Sequence, residues 1–137
     1  MRILIIKGTS KLPNGNRNAK EYPYWDKLLE LLKEHEIKEI NSILTSDEIK
    51  ELVNWSDIWI SVDSFLPHFV AYHRQKKGIV LWGKSDPLIF GYTSNINLLK
   101  DRKYLRTEQF RWWNDEPYDE DVFVHPEVIL QSIENMV

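Results

Sequence analysis

The stretch ISVDSFLPHF, residues 60–69, ends an apolar run in an aspartate, a serine and a histidine. Asp63 and Ser64 fall where a strand should give way to a helix, with His68 in that helix's first turn. Two chemistries suit them. Either the aspartate and serine oxygens cap the helix by accepting its free N–H groups, or the cluster binds a ligand. Free N–H groups and the helix dipole attract phosphate, and a histidine there adds a donor. A second polar cluster, GTSKLPNGNRNAK, follows the first apolar run of the chain. Gly8 permits close backbone approach, Thr9 and Ser10 offer hydroxyls, and Lys7, Lys11, Arg17 and Lys20 supply positive charge. It reads either as a solvated basic loop or as a phosphate-binding loop, although GxxxxGK[ST] is absent. In LWGKSDP, Ser85, Asp86 and Pro87 form a turn pattern, and Asn95 and Asn97 suit either turns or sugar hydroxyls. There is no GxSxG and no HExxH, and no pair of carboxylates stands out as an acid/base couple. The four histidines lack metal-ligand spacing, so no metal and no cofactor is expected.

Alternating strand and helix patterns must position these residues. RILIIKG (2–8), DIWISVD (57–63) and GIVLWG (78–83) are continuous apolar runs of the kind buried on both faces of a parallel sheet. EIKEI (36–40) suits an edge strand. Helical spacing marks 24–35 and 66–75, the latter with Pro67 in its first turn, and 124–137 reads as a terminal helix. Thr45 with Glu48 three residues on is a capping-box pattern opening a helix over 45–55. Residues 84–105 read as a long, mostly irregular segment. The alternation predicts a single α/β, Rossmann-like domain over 1–137, with a mostly parallel sheet built on 2–7, 57–63 and 78–82. Ligands in such folds sit beyond the carboxyl ends of the strands, where residues 8–20, 63–68 and 83–95 emerge.

With 137 residues, 42% of them hydrophobic and 28% charged, the chain can bury a core of its own. A net charge of −3 does not favour nucleic acid as a partner. Cysteine is absent, which excludes disulfides and thiolate metal sites. No apolar run approaches the ~20 residues of a membrane span, and the N-terminus lacks a cleavage pattern, so a cytoplasmic protein is expected. Six tryptophans and six tyrosines fill the core, line a pocket or form a subunit contact. Trp112 and Trp113, in the polar stretch QFRWWNDEPYDED, either fold back onto the domain or mark a contact with another chain.

Taken in order, these pieces resemble the C-terminal half of glycosyltransferase family 9, the heptosyltransferase-like enzymes of the two-domain GT-B fold. The similar pieces are GTS with AKEYPYWDKLLELL, ILTSDEIKELVNWSD, ISVDSFLPH, VLWGKSDP and HPEVILQSI, which together run over nearly the whole chain. In that family this half binds the nucleotide diphosphate sugar. The resemblance implies that Thr9, Ser10 and Lys20 face the phosphates. It also implies that Asp63 and Ser64 meet the sugar or diphosphate, with His68 nearby. Phe65 stands where the family pattern has glycine, and the stretch between 36 and 47 is shorter than the family's. The family's N-terminal half, which holds the acceptor and the base, has no counterpart here.

The leading expectation is a glycosyltransferase-like domain that recognises a nucleotide diphosphate sugar through Gly8, Thr9, Ser10, Lys20, Asp63, Ser64 and His68. Any catalytic base comes from another subunit, a separately encoded partner chain or the acceptor's surroundings. The rival is a non-catalytic binding or protein-interaction module that keeps the half-fold. A small phosphotransferase ranks lowest, because no loop carries its phosphate motif.

Overall fold

The computed structural model describes residues 1–8, 12–41 and 43–136. Its centre is a five-stranded sheet in which every neighbouring pair is parallel. The strands are β1 (Arg2–Ile6), β2 (Glu36–Glu39), β3 (Ile58–Val62), β4 (Ile79–Trp82) and β5 (Ile96–Leu99), in the order β2-β1-β3-β4-β5. The helices are α1 (Trp25–Leu31), α2 (Ser46–Trp55), α3 (Phe65–Tyr72), α4 (Pro87–Phe90) and α5 (Pro126–Glu134). This is the Rossmann-like α/β architecture expected, and the three apolar runs form its central strands. Among the described residues no helix is long and apolar enough to cross a membrane.

The strands read as continuous apolar runs because both of their faces are covered. Ile3, Ile5, Ile58, Ile60, Ile79 and Leu81 pack with Trp25 and Leu28 of α1 and Ile129 and Ile133 of α5. Leu4, Ile6, Trp59, Val80 and Trp82 pack on the other face with Ile49 and Val53 of α2 and Leu66 and Val70 of α3. The capping box opens α2: the Thr45 side chain accepts from the Glu48 N–H, and Glu48 in turn accepts from the Thr45 N–H.

One expectation needs correction, and one of the two readings left open for the aspartate–serine pair falls away. Residues 84–105 are not mostly irregular. They hold α4, the edge strand β5 and a 3-10 turn at Arg102–Tyr104. The aspartate–serine pair does not cap α3: Ser64 occupies the N-cap position, but its side chain makes no capping hydrogen bond. Its hydroxyl instead lies 3.1 Å from that of Ser61, a buried side chain of β3, and donates to the Val62 carbonyl at 3.3 Å.

The strand order reverses between β1 and β3: the chain leaves β1 for β2 on one side, and later adds β4 and β5 on the other. Such a switch point opens a crevice at the carboxyl edge between the two diverging connections. The described residues of the connection after β1 meet the turn into α3 there, Gly8 beside Ser64 and Lys20 beside Asp63.

Candidate functional site

Lys20 and Asp63 come together at this edge. The Lys20 ammonium is 3.1 Å from Asp63 Oδ2, and Asp63 is 9% exposed at the end of β3. Both line a cleft of about 390 Å³ with His68. Its other walls come from Phe90 at the end of α4 and from the segment 109–113: Gln109, Phe110, Arg111, Trp112 and Trp113. The cleft is therefore lined by cationic and imidazole donors, one carboxylate and four aromatic rings.

Gly8 and Ser64 stand beside each other rather than in the cleft wall. Gly8 has φ +41°, and a Cβ there would lie 2.5 Å from Ile6 Cγ2 and 3.6 Å from the Ser64 hydroxyl, so only glycine turns the chain this way. Thr9, Ser10 and Lys11 lie outside the described residues. The described cations of the basic loop are paired. Lys7 pairs with Glu39 at 3.1 Å, Arg17 with Glu21 at 3.1 Å, and Lys20 with Asp63. Lys20 is the member of this set that reaches the cleft.

Residues 106–116 supply the wall that sequence reasoning did not foresee. Arg106 is the pin. Its guanidinium carbon sits 3.3 Å from the centroid of the Trp113 ring, and its side chain is 6% exposed. It donates to the carbonyls of Gln109 (3.2 Å), Arg111 (2.6 Å) and Trp112 (3.3 Å) and lies 3.6 Å from Glu116. Burial pulls its pKa below the ordinary arginine value, against the pull of Glu116. Glu116 also holds Lys84, at 3.2 Å. Gln109 ties the segment to the turn after β4, accepting from the Asp86 N–H at 2.8 Å and donating to the Lys84 carbonyl at 2.9 Å. The far end of Lys20 lies 4.8 Å from the Trp113 centroid, so Lys20 and Arg106 share one aromatic ring. The two tryptophans part company: Trp113 is held by Arg106, whereas Trp112 is 84% exposed and Phe110 82% exposed.

The SDP turn and the asparagines serve the frame. Asp86 caps α4 by accepting from the Leu88 N–H at 2.9 Å. It also accepts two bonds from Arg102, at 3.1 and 2.8 Å. Asn97 accepts from the Trp82 indole at 2.9 Å and donates to the Tyr92 carbonyl at 2.9 Å, while Asn95 accepts from the Gly78 N–H. The Arg102 bond holds the Asp86 carboxyl below its ordinary value of 3.8, opposed by burial. A carboxyl depressed on folding contributes stability that is present well above its ordinary value and is lost as pH falls through the lower folded value. Asp86→Asn is therefore expected to be less stable than wild type near neutral pH, with the gap closing on acidification. Denaturant titrations at several pH values check this, and a gap that widens toward acid contradicts it.

Among the described residues no three histidine or carboxylate side chains gather as a metal site. Comparison with protein-family models, curated proteins and solved structures returned no match to this chain.

Proposed function

We propose that the cleft at the carboxyl edge of β1 and β3 recognises a nucleotide diphosphate sugar. The observation that carries this reading is the convergence of Lys20, Asp63 and His68 with four aromatic rings on one cleft at the switch point of the sheet. A cleft near 390 Å³ suits a ligand of this size class. An ammonium and an imidazole beside the start of α3 suit a diphosphate. Aromatic faces suit a planar base or the apolar face of a sugar ring. Asp63, an acceptor only, suits sugar hydroxyls.

The reaction that follows from such recognition is glycosyl transfer. The bond from the anomeric carbon to the diphosphate oxygen breaks, and one from that carbon to an acceptor oxygen forms. The acceptor's proton goes to a base, and the nucleoside diphosphate departs with its charge held by Lys20, His68 and the α3 N–H groups. The sole carboxylate lining the cleft among the described residues is Asp63, and Lys20 holds it. That supports a base supplied by another subunit or chain. It equally favours a second reading, a non-catalytic binding or interaction module, as do the exposed rings of Phe110 and Trp112.

One experiment serves both. A panel of nucleoside diphosphate sugars is screened by thermal shift, and the stabilising compounds are incubated with the chain while free nucleoside diphosphate is measured. A ligand at 100 times its dissociation constant is expected to stabilise by about 2.7 kcal/mol. Stabilisation with release of diphosphate supports transfer, and stabilisation without release supports the binding module. No stabilisation by any member of the panel overturns recognition.

A further inference from the structure

We propose that Tyr92 is a positioning residue for the cleft: its hydroxyl donates to His68 Nδ1 and so presents the His68 Nε2–H to an anionic oxygen of the ligand. The inference rests on the reading of the cleft as a diphosphate site.

His68 lines the cleft from α3, and its Nδ1 lies 2.8 Å from the Tyr92 hydroxyl, with the two rings edge to face at 5.5 Å. Tyr92 follows α4 and is itself fixed. Its carbonyl accepts from Asn97 of β5, which in turn accepts from the Trp82 indole of β4. The Tyr92 backbone is thus anchored to the sheet, and the imidazole is bonded to its phenol.

The proton inventory then decides what the cleft meets. A neutral imidazole carries one N–H, and its other nitrogen is a good acceptor, more basic than a phenol oxygen. With the hydroxyl donating to Nδ1, the imidazole proton must sit on Nε2. If the ring is charged instead, Nδ1–H donates to the phenol oxygen and Nε2 still carries a proton. Nε2 is a donor in both states, and among the described residues nothing in the protein bonds to it. Orientation of one ring nitrogen through a bond at the other is a common device for histidines that meet a ligand. The other charged groups on the cleft are Lys20, Asp63 and Arg111. A neutral N–H adds a hydrogen bond for the ligand without placing a further cation beside Lys20 and Arg111.

Tyr92→Phe removes one hydroxyl and keeps the ring. The first measurement needs no ligand: ¹⁵N resonances of His68 at alkaline pH, where imidazoles are neutral. Wild type is expected to show a bare Nδ1 and a protonated Nε2, and in Tyr92→Phe the two resonances move toward each other as the tautomers mix. The second is titration with uridine diphosphate. Tyr92→Phe is expected to bind about fivefold more weakly, the loss of one neutral hydrogen bond's worth of order. His68→Gln, whose amide nitrogen can stand near the Nε2 position, retains more affinity than His68→Asn. In the His68→Gln background Tyr92→Phe costs nothing further. A proton on Nδ1 in wild type, or equal diphosphate affinity in wild type and Tyr92→Phe, overturns the role of Tyr92. Failure of wild type to bind any diphosphate, with the Nε2–H signature intact, overturns the reading of the cleft and with it the ligand contact.

Discussion

Arg106→Ala is expected to release the segment 106–116 and to cost the cleft its aromatic wall. The guanidinium is nearly buried, stacks on Trp113, and satisfies three backbone carbonyls of the same segment. Alanine removes all of these at once. It also leaves the Glu116 carboxylate, 16% exposed, with Lys84 as its remaining partner. Breaking a buried charged network by removing one member costs about 3–5 kcal/mol. The lower end, about 3 kcal/mol, applies here because Lys84 stays beside Glu116. The β-sheet core does not include this segment, so the loss is read locally. Amide hydrogen exchange at Arg111 and Glu116, which bond to the carbonyls of Glu108 and Trp113, is the direct measurement. Their protection is expected to fall by roughly a hundredfold. Arg106→Lys keeps the charge and loses the planar fork, so it falls between the two. Protection within a few-fold of wild type in Arg106→Ala would show that the segment is held by its other contacts, Gln109 first among them.

That segment also marks the limit of what the sequence discloses. β1, β3 and β4 are legible because strands covered on both faces read as near-continuous apolar runs, and RILII, IWISV and IVLW keep that run apart from Arg2 and Ser61. β5 is not. It is a four-residue edge strand, half-buried throughout, with Asn97 in its middle serving the Trp82 indole. Neither alternation nor a continuous run survives in INLL flanked by polar residues. α4 is a single turn, too short for any periodic signal. The aspartate–serine–histidine cluster was visible as a cluster, since the strand-to-helix turn fixes it locally. Of its partners, Lys20 is expected there through the family resemblance and pairs with Asp63, but Tyr92 and Trp113 are not, because they reach the cleft from two other connections. Arg106 sits in a stretch of mixed charge where one more arginine carries no pattern. Only its burial distinguishes it, and burial of a polar side chain is decided by tertiary packing.

The Lys20–Asp63 pair yields the sharpest discrimination at the site, because its two members should respond in opposite ways to two ligands. Lys20→Met removes the ammonium nearest the cleft floor and strands Asp63, 9% exposed, with an uncompensated charge. On the proposed reading of the cleft, a diphosphate then loses a charge-assisted bond and gains a repulsive neighbour. The expected loss is on the order of 1.5–3 kcal/mol of affinity, or about ten- to a hundredfold, for nucleoside diphosphates and nucleotide diphosphate sugars alike. Asp63→Ala does the reverse at the phosphates: it frees the Lys20 ammonium and leaves the cleft more positive. Nucleoside diphosphate affinity is therefore expected to hold or rise. The nucleotide sugar, whose hydroxyls lose an anionic acceptor, is expected to weaken by a comparable 1.5–3 kcal/mol. Folding responds less to this change than it would to loss of a cap, since Ser64 rather than Asp63 holds the N-cap position and neither side chain caps α3. Lys20 keeps its contact with Trp113 and is about a quarter exposed, so water can solvate the freed ammonium. Calorimetric titration of both variants with uridine diphosphate and with uridine diphosphate sugars, at two salt concentrations, reads the pattern. Equal losses for both ligands in Asp63→Ala would mean that the carboxylate acts only by holding Lys20 in place. Unchanged diphosphate affinity in Lys20→Met would remove the Lys20 ammonium from the phosphate site and leave His68, Arg111 and the start of α3 as the phosphate donors.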